Sequence, residues 1–279
     1  MAAGETQHFQ EKWQIIQDGA ERLILSVEGI STHQITSEEY MLYYKTVYEL
    51  CTEDPNKSHS VSQHIYDKYK EIFHDYITFQ ILPALKEKEN EEFVREMVKK
   101  WSNHKIVVRW LFRFFHYLDR YYLSKQNLPS TEETGFMTFY DQVYLKMKVQ
   151  LTLVLISMMK RERGGEEIDQ SLVKNALSIY VEMGRGSMKY YEEDFEKDML
   201  EDAAIFYSQK AANWIMVDSY ADYMLKANGC LEKEKERVAN YLPSNSQKKI
   251  LEVLSRELFI AHATKLEEMK HGNGEDLVA

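Results

Sequence analysis

Residues 101–122 read WSNHKIVVRWLFRFFHYLDRYY. Eight of these twenty-two are aromatic, and neither glycine nor proline interrupts them. Val107, Leu111, Phe114, Leu118 and Tyr121 recur at spacings of three and four, the period of one helix face. Arg109, Arg113, His116 and Arg120 recur at the same spacing on another face. A strand alternates faces at every residue and cannot separate these two sets. The spacing predicts a helix to Leu123, with an apolar stripe for packing and a basic stripe suited to carboxylates. Basic residues among aromatics also occur where single-stranded nucleic acid is bound. The clean separation into two stripes favours a protein-packing helix instead.

The same period extends outward from this helix. Trp13, Ile16, Ala20, Leu23 and Val27 predict a helix over 8–29 that Gly29 closes. Thr36-Ser37-Glu38-Glu39 reads as a capping box opening a helix that reaches Cys51. Residues 52–62, with Pro55, read as a loop. Ile65, Tyr69, Phe73, Tyr76 and Phe79 mark a helix over 63–89 that Pro83 kinks or restarts. Residues 91–100 read as a separate short charged helix, and 128–135 as a linker ended by Gly135. Further helices are expected at 138–162, 168–183, 188–227, 231–242 and 246–269, followed by a disordered polar tail. Gly (11) and Pro (4) total 15 of 279 residues. That is about 5%, against a usual share of roughly 12%. A sandwich or barrel needs more turns than this allows, so the fold class is all-α. The two halves are weakly alike: LYYKTVYEL from Leu42 resembles ALSIYVEM from Ala176, and each precedes a Tyr-rich acidic helix.

Hydrophobic residues make up 44% and charged residues 29%, as in a soluble globular chain. The net charge of −10 repels phosphate and argues against nucleic acid bound through the overall field. The two cysteines, Cys51 and Cys230, read as reduced thiols. No secretory signal is visible at the amino terminus, and the longest apolar run, LTLVLISMM at 151–159, is far short of the ~20 residues of a spanning helix. A cytoplasmic or nuclear protein with no membrane attachment is expected.

No catalytic pattern stands up. There is no H-E-x-x-H, C-x-x-C, G-x-S-x-G or P-loop, so no metal, no cofactor and no enzymatic activity are expected. Carboxylate runs such as Glu192-Glu193-Asp194 and Glu166-Glu167 read as solvated helix faces. A second segment does stand out beside 101–122. Residues 40–51, YMLYYKTVYELC, are apolar or aromatic at nine of twelve positions and so cover most of a helix circumference. Such a helix is either sandwiched inside the protein or offers a second face to a partner.

The residues that carry a family likeness run in order along nearly the whole chain. They include Glu38-Glu39-Tyr40-Met41, Ile65-Tyr66-Asp67-Lys68-Tyr69, Leu82-Pro83-Ala84-Leu85, Trp101-Ser102-Asn103-His104-Lys105 and Tyr117-Leu118-Asp119-Arg120-Tyr121. Tyr180-Val181-Glu182-Met183-Gly184, Tyr191-Glu192-Glu193-Asp194-Phe195-Glu196, Asp222-Tyr223-Met224-Leu225-Lys226 and Glu236-Arg237-Val238-Ala239 follow. The order resembles the amino-terminal region of cullins, above all the cullin-1 class of plants. The resemblance implies an elongated stalk of two helical-bundle cullin repeats, at 8–130 and 135–270, with a disordered tail at 271–279. It implies docking of a Skp-family adaptor carrying an F-box protein, as in an SCF-type ubiquitin ligase. It places that docking on Tyr40, Met41, Tyr44 and Tyr48 of one helix and on Val107, Leu111, Phe114 and Phe115 of another. Nothing here matches the carboxy-terminal cullin domain, so no RING protein is expected on this chain. It reads as a fragment or a short cullin-like protein, and as a competitor for the adaptor rather than an active scaffold. The alternative is a degenerate cullin-like protein with a different protein-interaction role.

Overall fold

The computed structural model describes residues 3–53 and 58–275, with side chains for 7–53 and 58–271. The elements are helices, and no strand occurs among the described residues. No helix among them is long and apolar enough to cross a membrane. The chain divides into two compact units between Met147 and Lys148.

The first unit opens with α1 (Ala3–Val27), α2 (Ser37–Thr52) and α3 (Ser58–Tyr76). Gly29, at φ 76°, turns the chain out of α1, a conformation that costs glycine little. Of the expected loop 52–62, residues 54–57 lie outside the described ones, and α3 begins within its end. The helix of α3 continues through a π-turn (Ile77–Ile81) into α4 (Leu82–Lys86). Pro83 therefore neither breaks nor sharply restarts the chain. The Leu82 N–H reaches back to the Ile77 carbonyl, and the wide turn puts Pro83 in the first turn of α4, where its missing N–H is no loss.

The expected short helix 91–100 and aromatic helix 101–123 are in fact one helix, α5 (Asn90–Phe114). Phe93, Val94 and Met97 begin the buried stripe that Trp101, His104, Val108 and Leu111 continue. Glu92, Arg95 and Lys99 lie on the exposed face, and these charges disguise the continuity. The break comes later, at Phe115 (φ −98°, ψ 13°), followed by α6 (His116–Leu118), a π-turn (Asp119–Leu123) and α7 (Ser124–Gln126). Asp119 then holds the next loop by accepting the Thr131 N–H (2.8 Å) and the Thr131 hydroxyl. Gly135, expected to close that linker, lies inside α8 (Thr131–Phe139). A Cβ there would stand 2.8 Å from Val108 Cγ2, so glycine lets α8 approach α5. Its carbonyl accepts from His104 Nε2 at 2.9 Å. A π-turn (Tyr140–Tyr144) joins α8 to α9 (Leu145–Arg163), the helix in which the division between units falls.

The second unit continues with α10 (Gln170–Met183), whose first turn is capped by the Asp169 side chain. Then come α11 (Lys189–Tyr191), a π-turn (Glu192–Glu196), α12 (Lys197–Val217), α13 (Tyr220–Asn240), α14 (Ser246–Leu258), a 3-10 turn (Ile260–His262) and α15 (Ala263–Glu275). The expected helix 188–227 breaks instead at Asp218, which is extended, and Ser219 caps α13 by accepting the Asp222 N–H. Gly229 sits inside α13, where the helix tolerates its roughly 1 kcal/mol cost. Of the tail expected to be disordered, residues 271–275 instead close α15, and 276–279 lie outside the described residues. Tyr180, Tyr191 and Tyr223 are buried with their hydroxyls bonded to Thr152, Ser246 and the Leu258 carbonyl. Beside them Arg163 and Arg237 close on Glu234, each at 2.9 Å, and Tyr207 donates to the same oxygen at 2.6 Å. Burial opposes the Glu234 charge, but the two guanidinium groups outweigh it and hold the carboxyl below the usual range.

Candidate partner-docking face

The orientation of α2 is set at its start and along its inner side. The Thr36 hydroxyl accepts the Glu39 N–H (3.2 Å) while Glu39 accepts the Thr36 N–H (2.9 Å), the expected reciprocal box. Glu39 is further held by His33 Nε2 at 3.0 Å. The backbone bond from Thr36 and the nearby imidazole keep its carboxyl below the ordinary range. On the inner side Tyr43 lies against Gly19 of α1, where any Cβ would meet the phenol ring at 2.5 Å. Tyr43, Val47, Leu50 and Cys51 are buried, and burial pushes the Cys51 thiol up to about 11. Such a thiol is a packing group rather than a nucleophile. Cys51 and Cys230 are both free.

What remains outward on α2 is Met41 (55% exposed), Lys45 and Tyr48 (44% exposed), with Tyr40 and Tyr44 half-buried. The question whether this helix is sandwiched or two-faced therefore has a geometric answer: one side is core and one side is open. Leu42 is exposed on its flank.

The second set of expected docking residues behaves differently. Val107, Leu111, Phe114 and Phe115 are all 0% exposed. With no accessible area they cannot touch a partner, and they are corrected here to the support beneath the face. Phe114 holds α2 to α5, with Tyr43 at 4.9 Å and Tyr40 at 6.3 Å between ring centroids. Phe115 packs inward on Tyr69 at 4.9 Å. The accessible side of α5 and α6 is made of residues that sequence reasoning passed over for this role: Ile106, Trp110, Arg113, Tyr117 and Tyr121. Tyr48 meets Tyr117 edge-on at 4.9 Å, and Tyr117 meets Tyr121 at 4.5 Å, so the two helices share one aromatic edge. Tyr121 was expected on the packing stripe. The π-turn at Asp119–Leu123 inserts an extra residue and leaves it 45% exposed. The signal that could have found these residues is their own spacing, 106-110-113-117-121, on the edge between the two stripes.

The face has no chemistry of its own. Among the described residues no three His, Cys, Asp or Glu side chains are grouped to hold a metal ion. What it offers is a shallow apolar strip with phenol hydroxyls and guanidinium groups at its margin, a composition suited to protein contact.

Residues 13–278 match the family model of the cullin alpha solenoid domain. The chain is 48% identical to Cullin-1 of Oryza sativa subsp. japonica over 267 residues, 96% of this chain and 36% of that protein. It is 39% identical to Cullin-2 of Arabidopsis thaliana over 260 residues, 93% of this chain and 35% of that protein. It thus spans about a third of the length of these relatives. Against Cullin-like protein 3 of Arabidopsis thaliana it is 40% identical over 245 residues, covering 88% of this chain and 94% of that one.

Proposed function

We propose, since this chain belongs to the cullin family, that its first unit docks a Skp-family adaptor carrying an F-box protein, as the scaffold of an SCF-type ubiquitin ligase does. The observation that carries the reading is the open side of α2. Met41 and Tyr48 stand out, with Tyr44 half-buried between them, from a helix whose other side is fixed in the core, and Tyr117 and Tyr121 extend the strip. A few large side chains in such a strip supply most of the affinity of a protein interface. Docked in this way, the first unit competes with other cullins for the adaptor. We read residues 8–130 and 135–270 as successive cullin repeats. In support, each unit places a short Tyr-bearing helix (α2, α10) before a longer helical run interrupted by a π-turn (Ile77–Ile81, Glu192–Glu196). We place the protein in the cytoplasm or nucleus, where its ligase partners would act.

The test is calorimetric titration of the chain with a Skp-family adaptor bound to an F-box peptide, beside a Met41→Ala/Tyr48→Ala variant checked by circular dichroism. Both residues are open, so the variant keeps its fold. Saturable binding by the wild type, weakened roughly 30-fold or more in the variant, supports docking. A well-folded wild-type chain that does not bind leaves the second reading: a cullin-like protein with a different protein partner.

A further inference from the structure

We infer that the partner segment seated on this face is acidic, and that its carboxylates are taken by Arg113 and Arg120. The inference rests on the docking reading above and adds the chemistry of what is docked. The chain has 45 Asp and Glu against 35 Lys and Arg, so carboxylates are in surplus. Yet from Met97 to Leu118 there is no acidic residue at all, while Lys99, Lys100, Lys105, Arg109 and Arg113 fall within that stretch. Asp119, the next acid, is turned away and bonded to Thr131. On the neighbouring helix no acid occurs between Glu39 and Glu49, and those two are held by Thr36 with His33 and by Lys12. Along this face the chain, acidic as a whole, leaves no carboxylate available to its own arginines.

The arginines on it are exposed and lack carboxylate partners among the described residues, whereas Lys12, Lys148 and Lys226 each find one at 3.1 Å or closer. Two of them are nevertheless not free to wander. The Arg113 guanidinium lies over the Trp110 ring at 5.2 Å, and that of Arg120 over Tyr121 at 5.4 Å. A cation–π contact of this kind restrains the head and leaves N–H groups available to a carboxylate, which a guanidinium can receive with two parallel hydrogen bonds. The Arg120 head borders the aromatic strip at Tyr121, and Trp110, beneath Arg113, packs on the Phe114 that holds α2. An occupant that fills the strip with apolar side chains therefore meets cations at its edge. Because the rest of the chain is acidic, an acidic partner is attracted only in the orientation that brings its carboxylates here, and the arginines set register as well as strength.

The experiment measures binding of the adaptor–F-box peptide complex to wild type, Arg113→Gln/Arg120→Gln and Arg113→Glu/Arg120→Glu, at 0.1 M and 1 M salt, with the fold of each verified by circular dichroism. Expected is a loss of roughly tenfold for the Gln pair and a larger one for the Glu pair at 0.1 M. The difference among the three should shrink at 1 M salt, where the screening length falls from about 10 to about 3 Å. A Glu pair that binds like wild type at 0.1 M overturns the inference and leaves docking intact. So does a loss that is the same at both salt concentrations. A wild-type chain with no affinity removes the docking reading and this inference with it. A parallel titration with a fluorescent oligo-dT strand covers the other anion: saturable binding that the Glu pair abolishes would assign the arginines to phosphates and overturn an acidic protein partner.

Discussion

His104 is a neutral imidazole in the folded chain. Its ring is enclosed by Phe73, Tyr76, Trp101 and Phe139, its Nε2 donates to Gly135, and its Nδ1 has no partner. Burial pushes its pKa down to about 4, which the bond to the Gly135 carbonyl only partly offsets. The unfolded chain binds the proton near pH 6.5, so between these values the unfolded state holds more protons than the folded one. Stability is therefore full above about 6.5 and falls as the pH drops toward 4, by about 3 kcal/mol from this group. Chemical denaturation at pH 7 and pH 5 should show a loss that a folded His104→Gln variant does not share to the same extent. The residue scale is also where sequence reading of the site stopped short. The outward placing of Met41 and Tyr48 was legible because a helix that is apolar all round has to spend one side on something other than the core. Val107, Leu111, Phe114 and Phe115 misled because large aromatics are the residues a helix buries first. The close approach of Gly19 to Tyr43 was invisible, since nothing local distinguishes a mid-helix glycine that packs from one that is merely tolerated.

Elements were legible where a local device fixes them. The Thr36–Glu39 box and Gly29 opened and ended helices where the sequence placed those ends, whereas α8 begins at Thr131, inside the linker expected at 128–135. They were not legible where tertiary contact overrides the local preference. The polar 91–100 face hid the continuity of α5, and Gly229 did not stop α13 because its neighbours on that helix are anchored. Arg237 and Glu234 are part of that anchoring, and with Arg163 they tie α9 to α13. The Arg163 side chain is 0% exposed and also reaches Asp202 of α12 at 3.2 Å. Removing it would leave Glu234 charged, buried and short of a partner. Arg163→Ala should therefore cost about 3–5 kcal/mol, read as a lowered midpoint in thermal or denaturant unfolding. Arg163→Met, which removes the same charge but refills most of the buried volume, should cost less. The sequence spacing of Arg163, Glu234 and Arg237 gave no hint of the cluster, because its members come together only when α9 and α13 pack.

At the scale of the whole molecule, the shortage of glycine and proline was enough to name an all-α chain, and family membership follows from the match over 13–278. What composition could not show is how often the helices change pitch. π-turns occur at Ile77–Ile81, Asp119–Leu123, Tyr140–Tyr144 and Glu192–Glu196. Each acts as a phase slip. A helix holding one more residue than its turns require keeps the same angular setting on either side while the chain grows longer by one. In the fourth of these the Lys197 N–H reaches back to Glu192, and Glu193 is exposed within the turn. Excising Glu193 should let the segment close into ordinary α-helix with Tyr191 and Phe195 still facing the core, and the melting temperature should move by only a few degrees. The same one-residue excision at Lys45 of α2, which has no slack, would swing every later side chain of that helix by about 100° and unfold the unit. The wide turns are thus the places where chain length can drift without disturbing which residues meet.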